Sequence, residues 1–220
     1  MSAHTYATLV DLAAGTLLLS AVLVVWRRDL QATARLLAVQ GAALGAIPIL
    51  SGVRRGDVQL VVVGVAVVTL RAVVFPKLIA VRLRGELAHE REGAPLVNTT
   101  ASLLVTATLV IVAYALSRPL VRLDASSAAR AAPVGYALVL IGVFLLVTRR
   151  KALSQVVAFL VLDNGIDAVA FLATLGVPVV VELGASLDVL LAVVILGVLT
   201  GRMHAKFGGT DLDELRELRE

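Results

Sequence analysis

Ionisable side chains placed inside long apolar runs are the residues of this sequence that could do chemistry. Five stand out for their type and spacing, together with the Asn164 amide beside Asp163; the five are Arg71, Asp163, Asp167, Glu182 and Asp188. A charge at the centre of a membrane helix costs on the order of 2.5 to 3.5 kcal/mol, so each such residue needs a partner, a cavity or a function. Intramembrane carboxyl groups are typical of proton relays, and the pattern therefore predicts a proton path.

The spacing of Asp163 and Asp167 suggests how protons could move along the predicted path. Asp163 and Asp167 are four residues apart and share one helix face, with the Asn164 amide beside them as hydrogen-bond donor and acceptor. A low dielectric and a like-charged neighbour both favour the neutral acid, which can then take up and release a proton. Arg71 stays charged, so beside Asp163 or Asp188 it would hold one carboxylate ionised and set which acid carries the mobile proton.

We therefore predict Asp163 and Asp188 as proton carriers, Arg71 as the group that tunes them, and Asp167, Glu182 and Asn164 as auxiliary links. The same residues allow a purely structural interpretation, in which Arg71 and one Asp form a static buried ion pair that fixes helix register. Two further residues stay open at this point. Gln40 either extends the polar chain or joins helices. Pro76 either frees a backbone carbonyl near Arg71 and bends its helix, or serves only in packing.

The elements that must position these residues are membrane-spanning helices. Hydrophobic residues make up 59% of the 220 positions and charged residues 16%, which lies outside the usual range of soluble domains. The apolar runs have the length of roughly 20 residues that a helix needs to cross a bilayer. Residues 58–70 are apolar on every face, unlike the alternating strands of a β-barrel. The sequence thus predicts an all-α polytopic membrane protein.

Seven spans are predicted within a single transmembrane domain over residues 1–207, and residues 208–220 form a short amphipathic tail. The spans are 6–26, 31–50, 58–83, 96–116, 133–148, 153–175 and 179–200. Basic residues concentrate in every second loop and in the tail. The positive-inside rule then places the protein in the cytoplasmic membrane with its amino terminus outside and its carboxyl terminus in the cytoplasm.

Several function classes lack support in the sequence. No nucleophile–base pair, phosphate-binding loop or metal-binding motif is apparent, so we expect no catalytic residue and no enzymatic activity of the chain on its own. With no Cys, the chain cannot supply ligands for an iron–sulfur cluster or a thiolate-bound zinc ion. The excess of basic residues reports membrane topology and gives no indication of nucleic-acid binding.

The carboxyl-terminal third of the chain resembles component E of hydrogenase-4. The motifs that carry the resemblance are, in order, Arg150-Lys151, the run QVVAFL over 155–160, Asp163-Asn164-Gly165, Pro178, Glu182-Leu183-Gly184 and Asp188. An earlier helix adds Arg71 followed by Pro76, where the family has a Lys before that Pro. The resemblance extends over essentially the whole chain.

The last three predicted helices are also similar to the K subunit of respiratory complex I, which has a carboxylate in each of its last two helices. Asp188 falls on the later carboxylate. The earlier one would align near Leu160, so Asp163 is displaced from it by three residues. The displacement leaves Asp163 on a similar helix face.

These resemblances imply a non-catalytic membrane-arm subunit of a complex I-like group 4 nickel–iron hydrogenase or formate hydrogenlyase complex. Its partners would be other membrane subunits, including antiporter-like ones, and a soluble redox arm near the cytoplasmic tail. Nickel, iron and flavin would be bound by other chains, so no cofactor is expected here. Two alternatives remain: a subunit of a multi-component cation/proton antiporter, and a structural scaffold of the membrane.

Overall fold

Helices form all of the regular structure in the described part of the chain. The computed structural model of the protein describes residues 2–27, 29–77, 97–123, 126–150 and 152–174. The helices are α1 (Ala3–Trp26), α2 (Leu30–Arg55), α3 (Val58–Val67, continued by a π-helix at Val68–Val74), α4 (Thr99–Leu123), α5 (Ser127–Thr148) and α6 (Ala152–Thr174). The predicted all-helical class is confirmed for these residues. The predicted span 179–200 and the tail lie outside them.

Six helices in the described ranges are long and apolar enough to cross a membrane. Four of the helices begin at a side-chain cap that accepts hydrogen bonds from free backbone N–H groups of the first turn; the caps are Ser2, Asp29, Asp57 and Ser126. Gly56 ends α2 in the left-handed conformation, with φ of 70°, which glycine adopts without steric cost. The chain therefore turns from α2 into α3 within two residues.

Several helices extend beyond the predicted apolar spans. α5 begins at Ser127 and not at residue 133, because the Ser126 hydroxyl accepts from the Ala129 N–H and caps the helix six residues earlier. Arg130, predicted in a loop, is therefore an exposed helical residue. α2 and α4 likewise continue through basic residues such as Arg55 and Arg122. Long basic side chains reach water from the ends of membrane helices, so hydropathy marks only the apolar centre of each helix.

The interior is formed mainly by α1, α2, α5 and α6, and large aliphatic side chains such as Leu17, Leu44 and Ile141 are fully buried there. α5 and α6 pack closely through glycine. A Cβ built on Gly142 would lie 2.5 Å from the Leu162 Cα. Small residues allow backbones of membrane helices to approach in this way. The tight α5–α6 contact holds the acidic segment of α6 toward the centre of the bundle.

The third helix changes from α to π geometry over Val68–Val74, the segment that contains Arg71. At its end the Phe75 N–H donates to the Leu70 carbonyl, five residues back. The next residue, Pro76, has no N–H to continue either hydrogen-bond pattern. Single π-helical turns occur frequently at functional sites in proteins. The π-helix that includes Arg71 was not predicted from the sequence.

Candidate functional site

The Arg71 side chain lies inside the bundle with only 2% of the residue exposed, and it contacts three neighbouring side chains of α6. One terminal nitrogen, Nη1, donates to the Asn164 Oδ1. The other, Nη2, lies 2.6 Å from the Asp163 Oδ2 and also forms an ion pair with the Asp167 Oδ2. The two acids occupy successive turns of α6. One guanidinium therefore serves both carboxyl groups.

The two carboxylate contacts differ from the Asn164 contact in their geometry. By distance they are ion pairs, but the Arg71 Nη2 and the two Oδ2 atoms do not meet hydrogen-bond geometry with any partner, and the Arg71 Nε has no acceptor among the described residues. The guanidinium is thus anchored by the amide and held to the acids by charge.

Two buried amides extend the contacts of Arg71 toward the first helix. The Asn164 Nδ2 donates to the Gln40 Oε1 at 2.8 Å, and the Gln40 Nε2 donates to the Leu17 carbonyl at 3.3 Å. Gln40 is fully buried, and 3% of Asn164 is exposed. Four helices, α1, α2, α3 and α6, therefore contribute to one connected group. We call this group the polar cluster; its members are the Leu17 carbonyl, Gln40, Arg71, Asp163, Asn164 and Asp167.

The two ends of this amide chain fix its direction. The Leu17 carbonyl can only accept a hydrogen bond and the Arg71 guanidinium can only donate one. Gln40 must therefore present its NH₂ group to Leu17, and Asn164 must present its oxygen to Arg71. Rotating either amide by 180° would set two donors or two acceptors against each other, and an unpaired polar group is costly in a buried site.

Glycines next to the amides bring the backbones close enough for these contacts. Gly41 follows Gln40, and a Cβ there would lie 2.6 Å from both the carbonyl carbon and the Cβ of Arg71. Gly165 follows Asn164, and a Cβ there would lie 2.6 Å from the Val139 N. The sequence thus places a residue without a side chain beside each amide, so that α2 packs against the π-helix and α6 against α5.

The cluster contains one permanent positive charge and two carboxyl groups. If both acids are ionised the site carries one net negative charge, and if one proton is shared between them the charges balance. Uncompensated charge in a low-dielectric interior is costly, so the balanced state is the favoured one. Because Arg71 contacts both acids, the proton can sit on either carboxyl while the other stays paired. The arrangement can therefore exchange a proton between two turns of one helix.

The structure brings together four of the six residues predicted from the sequence: Arg71, Asp163, Asn164 and Asp167. Asp188 and Glu182 lie outside the described residues. The sequence pattern placed Arg71 beside Asp163 or Asp188 and gave Asp167 an auxiliary place, whereas both acids of α6 contact the guanidinium. Gln40, which the sequence left open, joins the cluster through Asn164. The Leu17 carbonyl was missed, because a backbone acceptor leaves no signal in side-chain types.

Comparisons with known proteins show a relative that matches over the full length. No protein-family model matches the chain, and no solved structure matches it. The uncharacterized protein Rv0085 of Mycobacterium tuberculosis is 56% identical to it over 220 residues, which is 100% of both chains. An identity of this size over the whole length shows common descent, and the chain therefore belongs to the same protein family as Rv0085.

Proposed function

We propose that the protein is a proton-conducting membrane-arm subunit of a complex I-like group 4 nickel–iron hydrogenase or formate hydrogenlyase complex, with no catalytic site of its own. The observation that carries the proton-conducting part is the buried Arg71 guanidinium in contact with Asp163 and Asp167. The assignment to a hydrogenase rests on the sequence resemblance to component E of hydrogenase-4.

In this proposal the proton moves between the two acids of α6 while Arg71 stays paired with the one that is ionised. Asp163 lies about 16 Å along α6 from its first residue, at 1.5 Å of rise per residue, which is near the middle of a bilayer core of about 30 Å. Asp188 and Glu182 of the predicted seventh span would carry the proton onward. The amide chain through Asn164 and Gln40 holds the guanidinium in place between the acids.

The setting of the subunit follows from the same proposal. The chain lies in the cytoplasmic membrane, with the amino terminus outside and the tail, residues 208–220, in the cytoplasm near a soluble redox arm. Antiporter-like membrane subunits cover part of its apolar surface. α4 offers the most open face, since 17% of its span is buried, and Leu104, Ile111 and Leu116 are each more than half exposed. Metal and flavin chemistry occurs in the other chains.

A structural role is the second candidate, and the connectivity of the polar cluster favours it. Four helices meet at Arg71, Gln40 and Asn164, so the cluster would fix the relative register of those helices even if no proton moved. Buried polar networks can contribute such specificity. An antiporter subunit would use the same carboxylates and would differ from the leading proposal in lacking a redox arm among its partners.

Neutralising each acid in turn separates the two candidates. Asp163→Asn and Asp167→Asn are introduced into the intact membrane complex, and proton translocation in vesicles is measured together with the amount of assembled complex. Proton conduction predicts that translocation is lost while assembly persists, because Asn keeps the shape and the contact to Arg71 but cannot carry a proton. A scaffold predicts normal translocation by the complex that assembles.

Asp11→Asn is the matched control, since Asp11 is an exposed carboxyl of α1 that forms no ion pair with a described residue. It removes the same charge from the membrane region without touching the polar cluster. Loss of translocation in all three variants alike would show a general effect of charge and would count against a specific path through α6.

A further inference from the structure

An open groove lies between the first turns of α2 and the last described turns of the third helix. Its volume is about 480 Å³, within the usual range for small-molecule sites. Its lining residues come from two segments, Gln31, Ala34, Arg35 and Ala38 on α2 and Ala72, Val73, Pro76 and Lys77 on the other side. None of the residues that line the groove belongs to the polar cluster.

The groove combines two kinds of surface. Alanine, valine and proline side chains line most of it, while Arg35 and Lys77 are exposed cations at its rim. Neither cation forms an ion pair with another described residue. A ligand that satisfies both surfaces needs a negatively charged group for the cations and an apolar part for the alanine-rich wall.

The depth of the groove is that of a membrane–water interface. It lies at the end of the bundle where α1 ends at Trp26, and Arg35 is only about 7 Å along α2 from the helix start, at 1.5 Å per residue. Trp26 is 49% exposed and lies under the Arg27 guanidinium at 4.9 Å. Exposed Trp residues of membrane helices concentrate at the headgroup level. A ligand at this depth meets lipid headgroups before it meets bulk water.

We propose that this groove, between Gln31–Ala38 and Ala72–Lys77, binds one anionic phospholipid. The phosphate of the headgroup lies between Arg35 and Lys77, and an acyl chain lies along Ala34, Ala38 and Val73. Basic pockets between membrane helices are established recognition sites for anionic headgroups. Val73 is 40% exposed, which leaves the apolar wall accessible from the surrounding lipid. A soluble anion would use the cations and leave this wall without a partner.

Native mass spectrometry of the purified full-length protein in detergent tests the assignment, with phosphatidylglycerol and phosphatidylcholine of identical acyl chains as probes. The wild type is expected to retain phosphatidylglycerol selectively. The Arg35→Gln/Lys77→Gln variant should bind it at least tenfold more weakly, because each basic residue near the surface contributes appreciably to anionic lipid binding. The control Arg118→Gln/Arg122→Gln removes two exposed charges from α4 and should bind like the wild type.

A second variant keeps the test independent of the cations. Ala38→Leu fills the apolar wall, so it should weaken phosphatidylglycerol binding while Arg35 and Lys77 remain. Equal retention by the Arg35→Gln/Lys77→Gln variant and the wild type, or equal loss in the α4 control, would overturn the proposal. Displacement of the lipid by millimolar inorganic phosphate alone would also overturn it, in favour of a soluble-anion site.

Discussion

At the scale of single residues, Arg71 contacts acids on two successive turns of α6, so neither carboxyl has the guanidinium to itself. The sequence predicts that Asp163 and Asp167 share a face, because their spacing fixes it. It does not predict which acid Arg71 contacts. Depth follows from counting residues, whereas the rotation of one helix against another is set by packing between distant segments.

Arg71→Gln, which removes the charge, is predicted to lower the stability of the protein more than Arg71→Lys, which keeps it. Arg71→Gln leaves two buried acids without a cation, and breaking a buried pair in this way typically costs about 3 to 5 kcal/mol. Arg71→Lys keeps the charge, in accord with the Lys expected at this position from the resemblance. In detergent, the unfolding temperature of the purified protein should fall strongly in the Arg71→Gln variant and less in the Arg71→Lys variant. Equal melting of wild type and Gln variant would contradict the buried ion pair.

The Gln40–Asn164 hydrogen bond predicts coupled effects of substitution. Gln40→Leu and Asn164→Leu each leave the remaining amide without its hydrogen-bond partner, which should lower the free energy of unfolding by about 1 to 3 kcal/mol. The double variant removes both partners of this hydrogen bond together. A double-mutant cycle on unfolding should therefore give a coupling of about 0.5 to 3 kcal/mol, with the double variant more stable than the sum of the single losses. Additive losses would mean that the two amides do not interact.

At the scale of elements, the sequence predicts the existence and type of six described helices and misplaces their ends. Hydropathy gives no information about helix caps. The start of α5 at Ser127 was therefore not predicted, although Ser126 is a good capping residue. The π-helix at Val68–Val74 has no signature beyond Pro76, because hydrogen bonds between residues five apart depend on how the chain packs and not on local composition alone.

The contact of α2 with the π-helix predicts that Gly41 cannot be enlarged. A Cβ at this position meets the Arg71 backbone at 2.6 Å, so Gly41→Ala should cost about 1 to 3 kcal/mol by overpacking and displace the guanidinium. Gly15→Ala on α1 is the matched control: a Cβ there meets nothing within 4 Å, and Ala favours the helix. Similar unfolding temperatures for the two variants would contradict the close approach.

At the scale of the whole molecule, the ranking of the six spans by mean hydropathy differs from their ranking by the share that is buried. The span Ser154–Leu172 of α6 has the lowest mean hydropathy of the six, 1.6, and the largest buried share, 67%. Its acids and amide are tolerated because the rest of the bundle surrounds them. Composition therefore predicts that the chain lies in a membrane, and it leaves open which helices form the interior, since that depends on where polar groups find partners.

The predicted odd number of spans can be tested by labelling single cysteines, because the chain contains none of its own. His4→Cys lies near the start of α1 and Thr210→Cys lies in the tail. With seven spans, a membrane-impermeant thiol reagent should label His4→Cys in intact cells and Thr210→Cys only after the cells are permeabilised. Labelling of both positions under the same condition would require an even number of spans and would remove the predicted seventh.

The hydrogen bond between Arg71 and Asn164 joins residues 93 positions apart, and this separation has a consequence in time. At about 5 to 20 residues per second, the ribosome completes the third helix roughly 5 to 20 s before α6. In insertion during synthesis, the arginine therefore enters the bilayer before its acidic partners exist. The span that carries it, Val58–Lys77, has the highest mean hydropathy of the six, 2.4, which helps to offset the insertion cost of the charge.

The acidic helix is made last of those described, and it is the least apolar. It enters a membrane in which the guanidinium is already in place. The order of synthesis thus places Arg71 on the most apolar span, which inserts most easily without a partner. The charge of Arg71 is then available to stabilise the acids of α6, the least apolar of the six, as that helix inserts.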